Sequence, residues 1–350
     1  MKNIAAKILT VGALTILPLT SSFAQGTSAD GTKVMPAPLL MMDNFFAHHV
    51  LIAEKSTHSL HLFRSADGKP EFVRSYQMAT GKKPGDKEAE GDFRTPEGVY
   101  NFVDFMTNKQ LLAQSGPQGA IYGAGAFVTD YPNPVDKINK KTGSGIWLHS
   151  TNDETRIDKG LDSRGCVVTA NNELIDVSKY LELNKTPMIV VQDLIYLNEK
   201  TWETQKGELK KTVDGWLDAW RKKDIESYIS YYDQNDFVDS KGKYAAYKAY
   251  KKAVFSNPGQ PKIDLDNLSI LQAKNYAVVT FTQNYQSNTI NDTGRKLLYL
   301  RQDENYNWKI VSEVWTKNGL ENMGKLAFEP SLRFFKEGTR EGIEIKKGNN

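Results

Sequence analysis

The chain has 350 residues, 39% hydrophobic and 25% charged, with a formal net charge of +3. That composition fits an ordinary folded protein with room for two domains. The small net charge, with no long basic run, gives no case for nucleic acid as a partner, and a single cysteine excludes a disulfide-stapled scaffold.

Residues 1–24 read as a secretory signal. Lys2 and Lys7 flank the start of an apolar core from Ile8 to Leu19, and Ser22-Phe23-Ala24 is a small-x-small cleavage site. The apolar run is too short for a comfortable membrane span. The expected mature protein is exported, periplasmic or otherwise cell-wall associated, with no integral span after cleavage. Residues 25–47 pass from a Gly/Ser/Thr/Asp run into the apolar patch Pro36-Ala37-Pro38-Leu39-Leu40-Met41-Met42. Such a patch packs on its own chain, the preferred reading, or on a second subunit as a homodimer contact.

From His49 the pattern turns to strands. Val50 to Ala53 and Ser59 to Phe63 flank a turn and predict a hairpin. Glu71 to Thr80 is a further strand, and the glycine- and charge-rich stretch 81–100 ends in another at Gly98 to Val103. Residues 104–144 read as a long irregular insertion leading to the His149 strand. Asn171 is the expected cap of a helix over Glu173 to Leu183, and Pro187 to Val191 the closing strand. These short strands predict a mainly β domain, sandwich or barrel-like, over 48–197. Residues 198–204 read as a linker. Beyond it, Val213, Trp216, Leu217 and Trp220 fall at helical spacing. Two short helices (Asp224 to Tyr232 and Tyr244 to Phe255) and a four-strand meander follow, an α+β domain over 205–316. Residues 317–350 are a mixed tail.

Chemistry concentrates between His149 and Cys166, the only cysteine. A lone thiol is most often a small buried hydrophobe. Here Gly165 permits close backbone approach, Arg164 would favour the thiolate, and His149 is a base candidate. The N–H groups of Gly165 and Cys166 are candidates for an oxyanion site. A carbonyl near Ser150 or another polar group would hold the second imidazole nitrogen. The five histidines show no zinc-ligand spacing, so no metal is expected. No GxSxG elbow and no phosphate-cradling glycine motif appears, and no cofactor is expected.

The spacing of His149 and Ser163-Arg164-Gly165-Cys166 resembles the signature of the L,D-transpeptidase family. So do Glu90-Gly91-Asp92-Phe93-Arg94-Thr95-Pro96-Glu97-Gly98-Val99-Tyr100, and Gly123 to Ser150 with Tyr131-Pro132-Asn133-Pro134. The resemblance covers roughly 48–192. It implies a β-rich sandwich-like catalytic domain acting on peptidoglycan stem peptides, with Cys166 as nucleophile and His149 as base. Ser163, Arg164, Gly165 and Ser150 would shape the site, and Tyr131 and Trp147 would meet substrate. Two departures stand out: Arg164 replaces a frequent histidine, and Val168 replaces a frequent arginine that would grip a substrate carboxylate. The second half resembles nuclear-transport-factor-2-like cones. The pairing is similar to cell-shape-determining L,D-carboxypeptidases, in which an N-terminal segment mediates dimerisation. The implied reaction is release of D-alanine from a tetrapeptide stem. Crosslink formation is the alternative within the family, and a non-catalytic wall-binding protein the alternative outside it.

Overall fold

The computed structural model describes residues 33–321, 323 and 328–335. The signal read at 1–24 lies outside them. A nine-stranded sheet organises the first half. Its order begins Val167–Thr169, Trp147–His149, Gly125–Thr129, Gly98–Thr107 and Pro187–Val191. It continues through His49–Glu54, Ser59–Ala66 and Lys69–Gly81 to Leu161–Ser163. Val168 and Thr169 also pair with Ala79 and Met78, which closes the sheet into a barrel-like ring.

The His49–Glu54 strand shows why its sequence is continuously apolar: both faces are covered. Leu51 and Ala53 point into the ring with Leu60 and Leu62. Val50 and Ile52 point outward, against Leu271, Tyr276 and Val278 of the second half. Period-two alternation thus sorts one strand between the barrel interior and the contact between the two halves.

The second half is a five-stranded sheet covered by helices. Its strands run Trp308–Thr316, Asn291–Gln302, Tyr276–Gln286 and Lys262–Ala273, and the fifth is Leu39–Met41 from the start of the chain. The patch at 36–42 therefore packs on its own chain, with Leu39, Leu40 and Met42 buried. Val34–Pro36 likewise pairs with Tyr196–Asn198.

Three local readings change. The span read as a linker is the start of a helix, Glu199–Lys222, whose N-cap Asn198 accepts from the Thr201 N–H. Its buried face begins at Trp202, earlier than Leu209, because the first turns pack on the N-terminal strands. Most of the stretch 104–144 is secondary structure: a strand end, the helix Asn108–Ser115, a 3-10 turn Gly116–Tyr122, the strand Gly125–Thr129 and the helix Pro134–Ile138, with an irregular run at its end. A Thr107–Gln110 capping box, readable in the sequence, starts the first helix. Asn171 does not cap its helix. That helix is Asn171–Ser178 with Ala170 at the cap position, and the Asn171 side chain is engaged elsewhere.

Candidate active site

His149 and Cys166 lie on neighbouring strand ends. The parallel pairing of Val167 with Leu148 and of Val168 with His149 brings the two segments side by side. Both side chains line one cavity of about 1380 Å³, together with Tyr122, Arg156, Ser163 and Arg164.

The turn before the cysteine is fixed by hydrogen bonds. Ser163 Oγ accepts from the Gly165 N–H at 3.0 Å and donates to the Cys166 carbonyl at 2.6 Å. The Gly165 amide, read as an oxyanion donor, is thus already occupied. Gly165 has φ +131°, and a Cβ there would sit 2.9 Å from the Arg94 carbonyl oxygen and from Ile146 Cδ1. Only glycine satisfies both demands. Arg94, within the stretch 90–100, therefore backs the Cys166 turn. Thr95 Oγ1 fixes it by accepting from the Gly81 N–H at 2.9 Å.

The histidine is set from the other side. His149 Nδ1 stands 2.5 Å from the Ser150 carbonyl oxygen. A carbonyl only accepts, so Nδ1 carries the proton and Nε2 keeps its lone pair. The Ser150 hydroxyl accepts from the Ala124 N–H at 2.7 Å. Asn171 completes the frame: Oδ1 accepts from the same N–H at 2.8 Å, and Nδ2 donates to the Thr151 carbonyl at 2.7 Å. The backbone approaches so closely that a Cβ on Gly123 would meet Asn171, Thr151 and Ser150 at 2.5–2.6 Å.

Burial governs the charge states. It pushes the Cys166 thiol up to about 11, against the pull of the Trp147 N–H and the charges of Arg156 and Lys87. It pushes His149 down to about 4; the Ser150 hydrogen bond opposes this and Arg156 adds to it. At neutral pH the pair is a thiol and a neutral imidazole. Arg164, expected to favour the thiolate, is exposed and is not among the groups acting on the sulfur.

The remaining expected residues divide. Trp147 stands beside the cavity with its ring 5.0 Å from that of Tyr122. Tyr131 does not meet the cavity: it is buried against Tyr100, and its hydroxyl donates to the Thr142 carbonyl. Val168 is core, packed with Ala79 and Ile157. Tyr122 and Arg156 were not singled out in the sequence. Tyr122 sets its ring edge-on to His149 at 4.9 Å, from a 3-10 turn with no motif to mark it. Arg156 binds Asp162 at 2.5 Å and Thr151 Oγ1 at 3.2 Å. Its signal was its place among acidic residues between His149 and Cys166. Among the described residues, no group of three or more His, Cys, Asp or Glu is disposed to hold a metal ion, and no helix is long and apolar enough to cross a membrane.

A second cavity, of about 640 Å³, opens in the C-terminal half beside Trp220, Lys251, Tyr285, Lys296 and Glu313. Glu313 pairs with Lys296 and accepts from the Tyr232 hydroxyl. The hydroxyls of Tyr228, Tyr232 and Tyr247 meet at 2.6–3.1 Å.

Residues 48–190 match the family model of the L,D-transpeptidase catalytic domain, and residues 208–314 that of the Cds6 C-terminal NTF2-like domain. Among solved structures, Bd1075 of Bdellovibrio bacteriovorus is 29% identical with a TM-score of 0.70, over 81% of this chain and 99% of that one. The helical cell shape determining protein Pgp2 of Campylobacter jejuni is 26% identical with a TM-score of 0.63, over 79% of this chain and 95% of that one. No curated protein matches the chain.

Proposed function

From a chain that belongs to the L,D-transpeptidase family through residues 48–190 and carries an NTF2-like domain at 208–314, we propose an exported cysteine enzyme that trims peptidoglycan stems as an L,D-carboxypeptidase. The observation that carries this reading is the Nδ1 contact of His149 with the Ser150 carbonyl, on the wall that also holds Cys166. It leaves Nε2 as the one imidazole lone pair able to take a proton.

His149 Nε2 accepts the thiol proton as Sγ attacks the carbonyl carbon of the third stem residue. The Cys166 N–H is the amide left to face the developing oxyanion, because Ser163 holds that of Gly165. The imidazolium returns its proton to the departing amine, the carbon–nitrogen bond breaks, and D-alanine leaves from a thioester. Water then adds to the thioester carbon with His149 again taking the proton, and the thiol departs as a tripeptide stem is released. The likeness to Pgp2, whose name records a cell-shape role, supports such a role for this chain. The size of the cavity supports a second reading. About 1380 Å³ exceeds the 300–1,000 Å³ common for small-ligand sites, which leaves room for an acceptor stem. An amine in place of water gives a crosslink.

Purified disaccharide-tetrapeptide incubated with the mature protein, and with Cys166→Ala, is read by mass spectrometry. Tripeptide with free alanine, absent with the variant, is the expected result. Crosslinked dimer without tripeptide would move the assignment to transpeptidation. An unchanged substrate with either protein would favour a wall-binding role.

A further inference from the structure

We propose that Arg164 reads the terminal carboxylate of the stem peptide, the group that departs with its last residue. This rests on the acyl-transfer reading above and concerns how that site selects a chain end over an internal bond. An enzyme that removes one terminal residue must recognise the free carboxylate one residue beyond the carbonyl it attacks. That demands a cation close to the nucleophile and not already neutralised.

Lys82, Arg156 and Arg164 are the cations lining the cavity. Arg156 is committed, bound to Asp162 and Thr151 with its side chain only 13% exposed. Arg164 is exposed, and among the described residues it forms no ion pair. The three residues after the nucleophile, Val167, Val168 and Thr169, are all buried and carry no charge. A cation next to Cys166 therefore has to come from the preceding side.

The backbone of Arg164 is held while its side chain is free. Ser163 and Gly165, on either side of it, are locked by the Ser163 hydroxyl and by the Arg94 wall. Its Cα lies two positions from that of Cys166, at most roughly 7 Å away. A terminal carboxylate sits about one residue, roughly 3.5 Å, beyond the attacked carbonyl, well within an arginine's reach. Arg164 lines the cavity together with Tyr122, and its positive charge lowers the pKa of the Tyr122 hydroxyl, against the larger raising effect of burial. Tyr122 in turn packs edge-on to His149. The planar fork of arginine matches a carboxylate with two parallel hydrogen bonds.

The test pairs two substrates: a disaccharide-tetrapeptide ending in free D-alanine and the same molecule ending in D-alaninamide. The wild-type protein is expected to prefer the acid by roughly 10- to 100-fold in kcat/KM, the range of a charge-assisted hydrogen bond. Arg164→Gln collapses that preference to within about 3-fold, mainly through KM, and Arg164→Lys keeps part of it. Lys82→Gln retains it. Alkylation of Cys166 by iodoacetamide proceeds at the wild-type rate in Arg164→Gln, because the role is recognition and not thiol activation. Equal use of acid and amide by the wild type overturns the proposal. So does transfer of the effect to Lys82→Gln, or slowed alkylation in Arg164→Gln. If the wild type cleaves neither peptide while Cys166 still alkylates, the acyl-transfer reading itself fails and this proposal falls with it.

Discussion

Around Cys166 burial drives the ionisable groups toward their neutral forms, whereas in the C-terminal cavity opposite charges are kept together. The thiol is pushed up to about 11 and His149 down to about 4, so neither carries charge at pH 7. In the second cavity burial pushes the Glu313 carboxyl up, but Lys296 and Lys251 outweigh it and hold the group below its usual range. Lys251 itself, over the Trp220 and Tyr228 rings at 4.7 and 5.0 Å, is drawn down to about 7 by burial. In the proposed reaction a neutral pair waits for substrate and exchanges a proton only when a carbonyl is in place. A buried ion pair is a standing commitment, because removing either partner strands the other.

The sharpest way to break this contrast is on the neutral side. His149→Ala is expected to lower kcat/KM on the tetrapeptide by roughly 10²- to 10⁴-fold, the usual contribution of a positioned base. Steady-state kinetics with folded protein would check this, and a loss under about 3-fold would remove His149 from the reaction. On the charged side, Glu313→Gln leaves Lys296 without its partner. It should cost on the order of 3–5 kcal/mol of stability, read from urea denaturation, while cleavage per folded molecule stays near wild type. An unchanged midpoint would mean the ion pair contributes nothing net.

The smallest effect is in pH. His149 at about 4 and His49 at about 3 titrate below their unfolded value of 6.5. Their contribution is full above 6.5 and shrinks as pH falls toward 4, because the unfolded chain takes up protons that the buried rings refuse. Lys251 follows the same sign at higher pH: its contribution grows from about 7 to 10.5. The Cys166 thiol opposes it between 9 and about 11, where the unfolded chain has already lost its proton. Asp43, pushed up to about 6 by burial, opposes the histidines below pH 6.5, so the rise in urea midpoint is expected between pH 6.5 and 8.5. Lys251→Met should flatten that rise, by at most about 1.4 kcal/mol per pH unit.

Much of this was readable from the residues because local chemistry and global fold agree. The expected four-strand meander is the C-terminal sheet, and the helix Tyr244–Phe255 matches to the residue. Cys166, His149 and the Ser163 turn were marked by motif. What escaped was set by distant chain. Asn171 looked like a cap because capping is a local habit, yet it spans to Ala124 and Thr151. Tyr131 sat in a motif that resembled substrate-binding sequence, but its ring fills the core beside Tyr100. The helix from Glu199 started early because Trp202 donates to the Leu39 carbonyl, a partner no window around residue 202 contains. Arg156 and Tyr122 belong to the site only once the ring of strands closes.

The short strand Leu39–Met41 sets a timetable for the chain. It is among the first described segments to be synthesised, yet Leu39 pairs with Leu271, about 230 residues later. During synthesis the N-terminal stretch must wait, unpaired and apolar, until Leu271 has emerged. The sheet edge it completes also means that a protease cut near residue 198 would not release two independent halves. The N-terminal fragment would keep one strand of the C-terminal sheet, and the C-terminal fragment would keep Phe334 and Phe335 in the barrel core, so the pair would have to be handled as a clasped unit.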